Sequence, residues 1–289
     1  MLKMKKIIVL ISLVAFVFTG CRHDEPKDDL RLVTINLLTE SLSSSVLKSQ
    51  ANDAENKIQK IKFFGVDEKS VIVESWVEQY ASPIVQRTIS KNVMSFYAIA
   101  NPSTDLEAAT PSSVTDLMNL TGNFTTAPVS PFLMGGIGDV IGDKVNIELI
   151  RVVAKIEVIG KNDFQIETVA VSNTPKKGYV FKQGTLSVPT SDRVNYSSVT
   201  SLTPTLYVAE SIAHNPARFD ITGQYEGKQA KYTITLKSEG QEIDIVRNTH
   251  YQVSVMPITD KVCEITVGIP EWVTKITDDH TIPDSAFDN

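Results

Sequence analysis

Apolar and polar positions alternate with a period of two along most of this chain. The alternation is sharpest at Val145–Gly160, VNIELIRVVAKIEVIG. The stretch is dense in β-branched side chains, which predicts a strand. Up to Leu149 the apolar residues hold odd positions (Val145, Ile147, Leu149). From Ile150 they hold even ones (Ile150, Val152, Ala154, Ile156, Val158), which leaves Arg151, Val153, Lys155 and Glu157 on the polar set. A slip of one residue in a period of two exchanges the buried face. A bulge, or a strand leaving one sheet for another, is therefore expected near Leu149–Ile150, as the join between two β-domains.

The same reading predicts further strands on either side. Val33, Ile35 and Leu37 alternate with Thr34, Asn36 and Leu38, a half-buried strand over Leu30–Leu38. A serine-rich stretch follows, Ser41–Ser49 (SLSSSVLKS), read as an exposed loop of the kind proteases cut, with Lys48 its one basic residue. Strands are expected from Ile61 into Val66, over Val71–Trp76 and Gln86–Ile89, and over Val93–Ala100, whose apolar residues occupy both faces. Ser113 with Asp116 three residues on predicts one short capped helix. Asn119–Asp143, rich in Gly, Pro, Asn and Thr, reads as a long loop. Beyond the central stretch, Phe164–Ser172, Thr205–Glu210, Arg218–Gln224, Lys231–Lys237, Ile243–Arg247, His250–Met256 and Val262–Ile269 continue the strand pattern. The class is all-β, with strands and turns spaced as in sandwiches. Residues 50–149 and 150–289 are the two expected domains.

Composition agrees with a globular chain, 42% apolar and 21% charged over 289 residues. The N-terminus stands apart. Lys3, Lys5 and Lys6 precede an apolar run from Ile7 to Phe18, which is too short to span a membrane and has the length of a signal sequence. Thr19-Gly20-Cys21 then resembles a bacterial lipobox, in which the Cys is acylated and becomes the new N-terminus. The alternative is an ordinary secretory signal with an incidental Cys. Residues 1–20 are accordingly read as a lipoprotein signal peptide, and 21–49 as a tether, first strand and cleavable loop. Loss of residues 1–20 removes three Lys and no acid, taking the net charge from −6 to −9. That balance, with no basic cluster, argues against a nucleic-acid partner. With Cys21 acylated, Cys263 has no intrachain partner. It alternates with Ile265 and Val267 and is expected to be a small buried hydrophobe.

The usual signatures of catalysis are missing. His23, His214, His250 and His280 are scattered and show no metal-ligand spacing. No G-x-S-x-G, H-E-x-x-H or Cys/His pair occurs. Gly135-Gly136-Ile137-Gly138 is glycine-rich but precedes a strand, whereas a phosphate cradle opens a helix. No catalytic residue, cofactor or metal is expected, and the chain is not read as an enzyme.

Several short motifs, in order along the chain, resemble those of the Bacteroidetes fimbrillins, FimA-like subunits of type V pili. They are Tyr97-Ala-Ile-Ala-Asn101, Pro131-Phe-Leu-Met134, Arg151-x-x-Ala154-Lys155, Tyr207-Val-Ala-Glu210, Arg247-Asn248-x-x-Tyr251 and Val267-x-x-x-Glu-Trp272. The resemblance implies two transthyretin-like β-sandwich domains in tandem. It also implies export as a lipoprotein through Cys21, helped by an acidic run (Asp24, Glu25, Asp28, Asp29) similar to surface-export signals of that phylum. Assembly would follow proteolysis between Lys48 and Ser49 and replacement of the strand carrying Val33, Ile35 and Leu37. Implied partners are other copies of the chain or related pilins, with the outer membrane holding the acylated form. The implied location is outer membrane and fimbrium, with a role in adhesion. A lipid-anchored accessory subunit, or a lipoprotein binding a host or bacterial surface ligand, is the alternative.

Overall fold

The structure is a computed structural model and describes residues 29–39, 48–51, 54–201, 203–269 and 271–274. Strands in the first part are β1 (Leu30–Thr39), β2 (Lys48–Ala51), β3 (Lys60–Asp67), β4 (Ile72–Gln79), β5 (Ile84–Ser90), β6 (Val93–Ala100), β7 (Thr121–Asn123), β8 (Met134–Ile141) and β9 (Lys144–Arg151). Two one-turn helices, α1 (Thr104–Ala108) and α2 (Val114–Met118), lie between β6 and β7. After Val152 come β10 (Val153–Gly160), β11 (Gln165–Pro175), β12 (Lys177–Tyr179), β13 (Arg193–Thr200), β14 (Thr205–Ala209), β15 (Arg218–Tyr225) and β16 (Lys228–Ile234). The last are β17 (Lys237–Ser238), β18 (Gln241–Glu242), β19 (His250–Pro257), β20 (Cys263–Gly268) and β21 (Glu271–Thr274). The chain is nearly all β, as its alternation predicts.

Seven strands form one sheet in the order β4-β3-β6-β8-β9-β1-β5. Two four-stranded sheets, β14-β10-β19-β20 and β13-β11-β15-β16, contain the larger strands after Val152. The buried apolar side chains sort accordingly. Val33, Ile35, Phe63, Phe96 and Ile147 belong to one cluster, and Ile156, Val158, Phe219, Tyr251 and Val253 to another. A third cluster explains why β3 and β6 are apolar on both faces. Phe64, Val66, Tyr97 and Ile99 pack with Leu106 of α1 and Leu117 of α2. The predicted cap is present: the Ser113 hydroxyl accepts from the Asp116 amide, and the Asp116 carboxylate accepts from that of Ser113.

The slip in the central stretch marks a change of sheet, displaced from the expected place. β9 continues through Arg151, pairing with β8 and β1, and β10 pairs with β14 and β19. The break falls at Val152, whose amide donates to the Leu133 carbonyl at 3.0 Å. Arg151, Val153 and Lys155 are buried instead of forming a polar face. Alternation misplaces them because both faces of the chain are covered around the break, so a charged residue there needs internal partners rather than solvent.

The expected loop at Asn119–Asp143 is corrected too, since it contains β7 and β8. Glycine reads as a turn signal, but here it permits close strand approach. A Cβ on Gly136 or Gly138 would meet the carbonyl oxygen of Glu148 or Asn146 on β9.

Candidate functional site

Two features bear on function, and the first is the setting of β1. It is an interior strand, antiparallel to β5 (Leu30↔Ser90 through Asn36↔Ile84) and parallel to β9 (Thr34↔Lys144 through Thr39↔Leu149). Val33, Ile35 and Leu37 point into the core, as their alternation predicts, and Leu32 and Leu38 lie exposed on the outer face. Among the described residues β5 has no ladder partner except β1. Removing β1 would therefore open ladders on two strands at once and uncover the apolar floor between them.

The second feature is a buried polar network beside Val152. Glu55 is only 1% exposed. Its carboxylate lies 3.0 Å from Lys155 Nζ and accepts from the Tyr207 hydroxyl at 2.5 Å. Arg151 Nε donates to the Glu55 carbonyl at 3.2 Å, Nη1 donates to Asn248 Oδ1 at 2.7 Å, and Nη2 donates to Asn56. The ring of Tyr207 packs on Phe132 with centroids 4.5 Å apart. Burial, then the Glu55 carboxylate, pushes the Tyr207 phenol far above its ordinary pKa.

A second buried pair lies close by in sequence. Arg247 Nη2 is 2.5 Å from Glu210, and the same guanidinium donates to the carbonyls of Tyr179 and Val180. Asn101, at positive φ after β6, donates to the carbonyls of Lys57 and Phe132 at 2.9 and 2.8 Å. Residues that the sequence offers as separate short motifs thus converge. Asn101, Phe132, Arg151, Lys155, Tyr207 and Asn248 join one set of contacts around residues 55–57. Glu55 belongs to none of those motifs, and its place in the centre is visible only in three dimensions.

His250, 1% exposed, carries Nε2 3.3 Å from Glu157, on β10 next to the network. Burial, then the Lys155 charge, lowers its pKa from 6.5, against the opposing influence of Glu157 and Glu55. The unfolded chain then binds a proton that the folded chain resists. Stability contributed by neutral His250 is present above pH 6.5 and is lost as pH falls through 6.5 toward the folded value. The urea midpoint should drop between pH 7.5 and 5.5, and His250→Gln should flatten that drop.

The remaining predicted sites are placed as follows. Cys21 and residues 40–47 lie outside the described residues. Lys48 and Ser49 do not belong to a loop: they are in β2, parallel to β21 with Lys48↔Glu271 and Ser49↔Trp272. Cys263 is a half-buried free thiol against the second core, and burial pushes its pKa up. Among the described residues no group of three or more His, Cys, Asp or Glu side chains is placed to share a metal.

Solved structures share this fold. A protein provisionally assigned to cell adhesion from Bacteroides eggerthii aligns with TM-score 0.63 at 17% identity, over 84% of this chain and 96% of that one. The tip fimbrial protein Mfa3 from Porphyromonas gingivalis, truncated at its C-terminus, aligns with TM-score 0.59 at 16% identity, over 84% and 100%. A fimbrial assembly protein from Parabacteroides distasonis aligns with TM-score 0.56 at 15% identity, over 83% and 95%. No curated protein matches the chain in sequence. The structural likenesses define the class by fold alone, an all-β protein of several sheets. The family model of the fimbrillin-A associated anchor proteins Mfa1 and Mfa2 matches residues 72–278, and the chain belongs to that family. It is accordingly a fimbria-associated protein of the cell surface.

Proposed function

We propose that the chain is exported as a lipoprotein held in the outer membrane through Cys21, and enters the fimbria as a structural subunit by exchange of β1. We read the sheets before and after Val152 as two sandwich domains, and the Glu55 network as the bolt between them. The position of β1 carries the proposal. It buries Val33, Ile35 and Leu37 between β9 and β5, and residues 40–47 connect it in sequence to β2. Burying three such side chains, at ~1.5–3 kcal/mol each, is worth about 4.5–9 kcal/mol. A groove emptied of them needs a replacement, and an extended segment from a neighbouring pilin restores burial and ladder hydrogen bonds together. Before the cut, the covalent link keeps β1 at an effective concentration of order millimolar, so a free donor cannot compete. The purified full chain, treated with a trypsin-like protease, should be trimmed at Lys48–Ser49 and form detergent-resistant ladders. Lys48→Ala should stay monomeric. Trimming at Ser49 with no oligomer would overturn strand exchange.

A second reading has its own support. Lys48 and Ser49 are held in a ladder with Glu271 and Trp272, and a protease needs an extended, unpaired segment. That favours an anchor subunit that keeps both lipid and β1, and an adhesive surface ligand would then meet a monomer. Resistance of Lys48 to the protease in the folded chain is the result that selects this reading.

A further inference from the structure

A groove of about 540 Å³ runs between β16 and β20. Each of these strands ends its four-stranded sheet. Three lysines, Lys231, Lys237 and Lys261, stand around the groove, with Glu239 as the one acid among its lining residues. Tyr232, Cys263 and Ile265 form an apolar floor continuous with the second core. The Tyr232 hydroxyl donates to the Thr259 carbonyl at 2.7 Å, which fixes one wall. Glu264 alternates away, on the exposed set of β20.

The residues after Thr274 have the complementary chemistry. Segment 275–289, KITDDHTIPDSAFDN, carries Asp278, Asp279, Asp284 and Asp288 against a single Lys275. Its apolar residues Ile276, Ile282 and Phe287 are spaced among the acids. Reach is assured by chain length alone. Eleven residue steps separate Cys263 from Thr274, so the two are at most about 40 Å apart by any path, and the fifteen residues 275–289 extend to about 50 Å. Pro283 interrupts a long ladder by lacking an N–H. Side chains near the far end of the segment therefore suit such a groove better than a full added strand would.

We propose that this groove seats the acidic segment 275–289 of the same molecule, with Phe287 on the apolar floor and Asp284 and Asp288 against Lys231, Lys237 and Lys261. Linkage in one chain gives the segment an effective concentration of order millimolar, so a second copy does not compete when the protein is dilute. This docking is independent of any exchange of β1. Its consequence is that a seated segment is unavailable to a neighbouring subunit, and that salt releases it by screening the charges.

Cys263 on the floor is the reporter. Its alkylation by a small thiol reagent in the full chain is followed peptide by peptide by mass spectrometry, so that Cys21 does not contribute. Phe287→Ala, and separately the combined Lys231→Glu, Lys237→Glu and Lys261→Glu, should each raise the rate about tenfold, the factor equivalent to about 1.4 kcal/mol of docking. Salt at about 1 M, where the screening length is about 3 Å, should do the same for the unaltered chain and nothing for the lysine variant. Phe287→Ala leaves every described residue in place, so its result stands even if the lysine variant folds poorly. Rates unchanged by Phe287→Ala and by salt would overturn the proposal. So would protection that disappears on dilution, which assigns the groove to the segment of a second copy.

Discussion

Glu55→Ala should lower the unfolding free energy by about 3–5 kcal/mol, the range for removing one side of a buried, hydrogen-bonded ion pair. The carboxylate is shared by Lys155 and Tyr207, and the backbone beside it is gripped by Arg151. Its loss takes a carboxylate from beside a buried ammonium and an acceptor from a buried phenol. Lys155→Met in the same background should cost far less than it does alone, because the two residues share one interaction. The comparison pair is Lys60–Glu107, whose side chains are 32% and 35% exposed. Breaking that pair should cost no more than about 1 kcal/mol, since solvent competes for both charges. Chemical denaturation of Glu55→Ala, Lys155→Met, their combination and Lys60→Ala checks the ranking.

Within β1, Ile35→Ala should cost about 2–5 kcal/mol, as for other fully buried large-to-small changes. Ile35 is wholly buried, whereas Leu32 on the same strand is 59% exposed, and Leu32→Ala should fall within about 0.5 kcal/mol of the unaltered chain. The difference between the two faces is what makes β1 a plug. Under the proposed exchange, a replacement strand must offer three apolar residues at alternate positions, and its other face is free to vary. Equal effects at Ile35 and Leu32 would show that β1 is not held by its inner face.

Much of the architecture is legible in the sequence where one physical rule acts alone. β6 runs over Val93–Ala100 as predicted, because an apolar stretch with a terminal Asn-Pro has few other fates. The inner face of β1 and the Ser113–Asp116 cap are legible for the same reason. Where two rules compete, the sequence misleads. Glycines at 135, 136 and 138 announce a turn, yet Gly136 and Gly138 permit β8 to press against β9, and Gly135 lets it approach the Val180 carbonyl. Arg151 and Lys155 follow the polar positions of an alternating pattern, yet both are buried and satisfied internally. Nothing local to Glu55 signals that it is their partner, because the pairing spans 100 residues of sequence from Glu55 to Lys155. Resemblance to short pilin motifs identifies most of the residues that meet there, without showing that they meet.

Under the proposed exchange, β1 leaves the molecule when it joins a fimbria. The most direct test is the N-terminus of the protein recovered from sheared fimbriae and, separately, from the outer membrane, read by intact-mass and N-terminal sequencing. Exchange of β1 gives fimbrial copies that begin at Ser49 and lack residues 21–48, beside membrane copies that begin at acylated Cys21. Fimbrial copies that all begin at acylated Cys21, with β1 still attached, would contradict it.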